Sequence, residues 1–126
     1  MGFWRTLLGG GVLGLAIWCT AWGAGPKPTG PTPPLWGYGV KGCDEYASVS
    51  FKHQEGSGEG AGEYQRYQDW LTGFISGLNL ATGSDVLAGI GIDAAMRRIG
   101  LYCEEHRKQD FFAGTTDLVK SLSQWK

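Results

Sequence analysis

The chain has 126 residues, 42% of them apolar, and a formal net charge of −1. That supports one small hydrophobic core rather than several domains. No basic stripe is present, which excludes a nucleic-acid binder driven by charge. The two histidines form no HxxxH or HExxH pair that would hold a metal.

Residues 1–23 have the layout of an export signal. Arg5 supplies a basic start, and Thr6–Trp18 is an apolar run too short to span a bilayer comfortably. Small residues stand at Ala21 and Gly23, so cleavage is expected after Gly23. A retained N-terminal anchor is the competing reading. Cys19 makes a poor lipoprotein site because the bulky Trp18 precedes it. Loss of the leader leaves 10 basic and 12 acidic residues, a net charge of −2, and two cysteines, Cys43 and Cys103. An even pair in an exported chain predicts a disulfide, with two buried free thiols as the alternative. Closing so long a loop stabilises by about 4 kcal/mol in the chain-entropy account.

All five prolines fall between Pro26 and Pro34, in GPKPTGPTPP, an extended solvated tether of polyproline character. Residues 24–41 are read as tether and arm, and 42–126 as the folded domain. Leu35–Val40 alternates apolar residues with glycine. Trp36, Tyr38 and Val40 form an arm lying on the domain, or else a short edge strand. Cys43 opens a first helix, with Asp44 and Glu45 favourable at its positive end. Tyr46, Val49 and Phe51 give it a partly apolar face. The glycine-rich acidic run HQEGSGEGAGE, from His53 to Glu63, reads as a mobile loop.

The stretch from Tyr64 to Leu80 is the expected centre of the fold. Tyr64, Tyr67, Trp70 and Leu71, Phe74 and Ile75, and Leu78 recur at the three-and-four spacing of one helix face. Gly73 and Gly77, one turn apart, cost helix propensity. They are expected where a third or fourth helix, or a second subunit, packs closest, so that Gly77→Leu should damage folding or assembly. Gly83 is a C-cap candidate. Ser84–Ile92 holds at most one helical turn. Asp93 is read as the N-cap of a helix whose inner face is Ala95, Met96, Ile99, Tyr102 and Cys103. Arg97, Arg98, Glu104, Glu105 and Lys108 point outward from it. Asp110 caps the last helix, with a stripe of Phe111 or Phe112, Thr115, Leu118, Val119 and Leu122. No strand run is convincing. The expected fold is all-α: a small four-helix orthogonal domain with one disulfide, behind a signal peptide and a proline-rich tether.

Catalytic patterns are sparse. Two loose GxGxxA runs, at Gly56 and Gly89, lack the preceding strand that a nucleotide site needs. The doublets Asp44-Glu45 and Glu104-Glu105 are expected on solvated helix ends rather than in a cleft that would shift their pKa. The chain is therefore read as non-enzymatic, with no cofactor, metal or catalytic residue. Aromatic residues, by contrast, exceed what so small a core can hide. Trp36, Tyr38, Tyr64, Tyr67, Trp70 and Phe74 are the candidate contact residues for a protein client, a specific protein partner or a second copy.

Four features recur in order over residues 43–122. Cys43 is followed by Asp44, Glu45 and Tyr46. Trp70, Gly73, Phe74, Gly77 and Asn79 mark the central helix. Asp85 and Val86 precede Gly89. Cys103 precedes Phe111 or Phe112, Leu118, Val119 and Leu122. This outline resembles the HdeA/HdeB family of small periplasmic acid-stress chaperones. The resemblance implies an exported four-helix domain with one disulfide, located in the periplasm and free of the membrane once the leader is cleaved. The outline also resembles the Tai/Rap-type immunity proteins of type VI secretion systems, which bind and block a cell-wall-degrading effector. The long loop after His53 and the proline tether are additions to the chaperone outline. Protonating all 12 carboxylates takes the exported chain from −2 to +10, and two charged histidines add two more. Such self-repulsion would loosen a small domain while the disulfide limits its opening.

Overall fold

A computed structural model describes residues 34–123. The expected leader, its cleavage site, the proline stretch up to Pro33, and Trp125 lie outside the described residues. Four helices follow in order: α1 (Cys43–Gln54), α2 (Gly58–Thr82), α3 (Ile92–Glu105) and α4 (Phe111–Ser123). A single 3-10 turn, Gly37–Val40, precedes them and belongs to the arm, residues 34–41. Among the described residues there is no strand, only an isolated bridge between Gly42 and Asp110.

The core forms where α2 meets the other three helices. Tyr46, Tyr67, Leu71, Met96, Ile99 and Phe111 are fully buried. The Tyr46 ring meets Tyr67 and Phe111 at centroid distances of 4.8 and 4.6 Å. Its hydroxyl donates to the Met96 carbonyl at 2.9 Å. The disulfide joins Cys43, the first residue of α1, to Cys103 near the end of α3, with Cα atoms 4.7 Å apart. Beside it, the Cys43 N–H donates to the Gln109 carbonyl (2.8 Å) and the Phe111 N–H to the Lys41 carbonyl (2.9 Å). The start of α1, the end of α3 and the start of α4 are thus fastened at one point, while α2 lies outside the clamp. The disulfide fits an oxidising compartment. No helix among the described residues is long and apolar enough to cross a membrane.

Helix ends follow local chemistry. Gly83 closes α2 in the left-handed region, at φ 67°. The Asp110 carboxylate accepts the Ala113 N–H at 2.7 Å, as a cap should. Residues 84–91 form a pinned turn rather than a helical one. Asp85 accepts the N–H groups of Leu87 (3.0 Å) and Gly89 (2.7 Å), and Asn79 Oδ1 accepts that of Val86 (2.9 Å). On α3 the expected inner residues Ala95, Met96, Ile99 and Cys103 are buried.

Four expectations are corrected. The run read as a mobile loop after His53 is mostly helix, because α2 begins at Gly58 and only residues 55–57 link it to α1. Gly60 explains this, since it lies one turn before Tyr64 on the same face. A Cβ there would fall 2.7 Å from Lys52 Cβ and 2.8 Å from His53 N. The bare backbone lets α2 start against the last turn of α1, and packing outweighs helix propensity. Asp93 is not the N-cap of α3. Gly91 holds that position, and the Asp93 carboxylate accepts from Gln68 Nε2 at 2.6 Å, tying α3 to α2. Phe51 does not face the core; α1 buries Cys43, Tyr46 and Ala47, and Phe51 is 61% exposed. Finally, Gly73 and Gly77 are not where a third or fourth helix comes close. Among the described residues, a Cβ at either would meet nothing within 4 Å. The glycines that do pack tightly are Gly39, Gly60 and Gly114.

Candidate functional site: an aromatic groove beside the arm

The arm runs along α2 in the opposite direction to it. Pro34, Leu35 and Trp36 meet Asp69, Trp70, Gly73 and Phe74 around a groove of about 420 Å³. Further on, Tyr38 meets Glu63, Arg66 and Tyr67, and Lys41 meets Glu63. Local chemistry sets this path. Trp36 has extended backbone, and its carbonyl accepts the Trp70 Nε1–H at 2.9 Å. Gly37 then turns the chain at φ 76°, and Gly39 lies flat on the Trp70 ring. A Cβ at Gly39 would sit 2.2 Å from Trp70 Cζ2, so only glycine lets the backbone come that close.

The groove has aromatic walls. Trp70 stacks on Phe74 at 5.2 Å and 7°, and Phe112 meets Phe74 edge-on at 5.4 Å. Trp36 is 77% exposed at the rim. Asp69 is the charged residue on that rim, and it accepts from Gln65 at 2.8 Å. Beyond the groove, polar contacts hold the arm down. The Tyr38 hydroxyl donates to Glu63 Oε1 at 2.9 Å and accepts from Arg66 at 3.4 Å. The Lys41 ammonium pairs with Glu45 and lies 3.6 Å from Glu63 and 4.8 Å from the Tyr38 ring centre. The Glu45 hydrogen bond raises the Lys41 pKa above its usual value.

A second concavity, of about 610 Å³, opens between α1, α2 and α3. The His53 ring lies flat on Tyr64 at 4.0 Å and 7°, forming one wall. Ser50, Asp93, Arg97 and Glu104 supply polar groups of both signs around the buried Gly100. Among the described residues no group of three or more His, Cys, Asp or Glu side chains is placed to hold a metal ion. Burial pushes the phenols of Tyr46 and Tyr67 well above the usual tyrosine value, Tyr67 also feeling Glu45 and Glu63. Burial raises Tyr64 too. These phenols stay neutral and serve packing. The Tyr67 hydroxyl is buried with no hydrogen-bond partner among the described residues.

The six expected contact residues therefore divide. Trp36, Trp70 and Phe74 come together in the groove. Tyr38 lies under the arm, edge-on to Tyr67 at 4.8 Å. Tyr64 belongs to the other concavity. Tyr67 is corrected: it is fully buried and cannot meet a partner, because the arm and Phe111 close over it. The anchors Lys41, Glu45 and Glu63 were not anticipated. The one sequence signal for them was the alternation of glycine and aromatic residues at 36–39, which marks backbone laid against a flat ring. No family model matches the chain, and neither curated proteins nor solved structures give a match.

Proposed function

We propose that this chain is a non-enzymatic, exported protein-binding domain, acting in the periplasm as an acid-stress chaperone of the HdeA kind. One observation carries the reading. An aromatic groove, with Trp36 77% exposed, is framed by an arm that two carboxylates help to hold. Glu63 accepts from Tyr38 and faces Lys41, and Glu45 pairs with Lys41. Strong acid neutralises those carboxylates and leaves Lys41 charged, which weakens the arm and widens the apolar surface beside it. The disulfide limits how far the rest opens. An apolar segment of an unfolding protein is the natural occupant of such a surface.

The test is client aggregation at about pH 2–3, well below the ordinary carboxylate range. The oxidised protein should suppress it, and the variant Trp36→Ala with Phe74→Ala should lose most of that effect. Absence of suppression, with the helical signal intact at that pH, would remove the chaperone reading. The second concavity favours one other reading, an immunity or inhibitor protein. Its aromatic wall and charges of both signs suit a single specific partner. Binding to a purified cell-wall hydrolase at neutral pH, without client protection in acid, would replace the first reading with this one.

A further inference from the structure

The concavity between α1, α2 and α3 holds two opposite charges that the fold does not use. Arg97 and Glu104 both line it, two turns apart on α3. The ion pairs among the described residues are those of Lys41, so neither Arg97 nor Glu104 has a charged partner there. Asp93, one turn before Arg97, is its natural mate. Gln68 of α2 draws that carboxylate off, donating to it at 2.6 Å. Along the helix Arg97 and Glu104 stand about 10 Å apart, and both side chains lean toward its start. Between the charges the lining is apolar and flat. Leu101 is 62% exposed, and the His53 ring lies on Tyr64. Gly100 is buried beneath them. It costs helix propensity, yet packing does not demand it. A Cβ there would meet Ser50 Oγ and Tyr46 Cε1 at 3.8 Å, an ordinary contact.

We propose that this concavity binds a short free peptide of about three residues in extended form, its C-terminal carboxylate on Arg97 and its N-terminal ammonium on Glu104. Length carries the choice. Three extended residues span about 10 Å, the separation of the two charges, whereas five span about 17 Å and overreach. The guanidinium fork takes a carboxylate in two parallel hydrogen bonds. Arg97 and Asp93 both act on the Tyr64 phenol, in opposite directions, so the guanidinium stands beside the aromatic wall. The reversed peptide would set like charge against like at both ends. A large apolar side chain at the middle residue packs on Leu101 and the His53–Tyr64 stack. Gly100 lets the peptide backbone come close below it. The volume of about 610 Å³ is of the size small-ligand sites have. The site is independent of the groove at the arm and of the client reading. It gives this concavity a small ligand in place of the protein partner considered for it above.

The full exported chain, oxidised, is titrated with alanyl-phenylalanyl-alanine at about pH 7, where both peptide ends are charged. Amide signals of His53, Arg97, Leu101 and Glu104 should shift and saturate, while those of Trp36 and Phe74 hold. The C-amidated and the N-acetylated peptide should each bind about fivefold more weakly. Arg97→Gln should abolish the penalty of amidation and keep that of acetylation, and Glu104→Gln should do the reverse. Both side chains are exposed, so both variants should keep the thermal midpoint. Absence of a saturable shift would overturn the proposal. So would equal affinity for the three peptides, or loss of both penalties together in either variant. Shifts confined to Trp36, Trp70 and Phe74 would overturn it as well, since the peptide would then be an ordinary client of the groove. A cell-wall hydrolase that shifts these α3 signals and is not displaced by the tripeptide would return the concavity to a protein partner.

Discussion

One flank of α2 is sealed over its first half and bare over its second. From Glu63 to Trp70 the arm lies on the helix. Gly39 is pressed on Trp70, and Tyr38 is wedged over Tyr67. From Gly73 to Leu80 no described residue covers it. Both halves owe their character to glycine, but in opposite ways. Gly39 and Gly60 have lost their side chains to something already in contact, whereas Gly73 and Gly77 leave a surface with nothing on it. A glycine in the sequence marks where a close approach is permitted. Only the opposing chain decides whether it occurs.

The largest effects should come from the two glycines already in contact, Gly39 of the arm on Trp70 and Gly60 against α1. Gly39→Ala sets a methyl against Trp70 Cζ2 and must lift either the arm or the ring. Gly60→Ala sets one against the α1 backbone at Lys52 and His53, which is harder to move. Each should cost about 2–3 kcal/mol in denaturant unfolding. For Gly39→Ala, Trp70 should also become more accessible to acrylamide. Unchanged stability in both variants would erase the distinction between the two halves.

A smaller effect should appear with alkali. Tyr46 and Tyr67 have phenol pKa values raised by burial in the folded chain. The folded state therefore holds these protons more tightly than the unfolded one. Their stabilisation is complete below the ordinary phenol value of about 10 and is lost as pH rises beyond it. Stability should be flat up to about pH 10 and then fall, with phenolate absorbance appearing together with loss of the helical signal. Tyr67→Phe removes an unpartnered buried hydroxyl. It should hold stability or raise it by up to about 1 kcal/mol, and soften the alkaline fall. Early, non-cooperative ionisation of Tyr67 would show that the arm does not seal this half.

How much of this was legible follows the same division. Regular spacing gave α3 and α4 their faces, Asp110 gave the start of α4 and Gly83 the end of α2, because those signals act within one turn. The pairing of Cys43 with Cys103 needed only the expectation of export and an even count. The start of α2 was not legible. Residues 56–62 carry four glycines and look like a loop, and the reason they are helical is Lys52 on another helix. Asp93 was misread for a similar cause, since Gln68 of α2 takes its carboxylate. The groove was half legible. Trp36, Trp70 and Phe74 were singled out as aromatic surplus, but nothing local distinguishes them from Tyr67, which tertiary packing buries.

The smallest effect is the most telling, because the sequence and the structure predict opposite signs. Read from sequence, Gly77 is a contact glycine, and a larger residue there should break folding or assembly. In the structure its position is open, and only helix propensity remains. Gly77→Ala should therefore stabilise the fold by about 0.5–1 kcal/mol, and Gly77→Leu should do nearly as well. Either result leaves α2 as the centre of the fold, since Tyr67, Leu71 and Ile75 are what it buries. A destabilised fold would restore the contact glycine of the sequence, with a second subunit as the element that comes close.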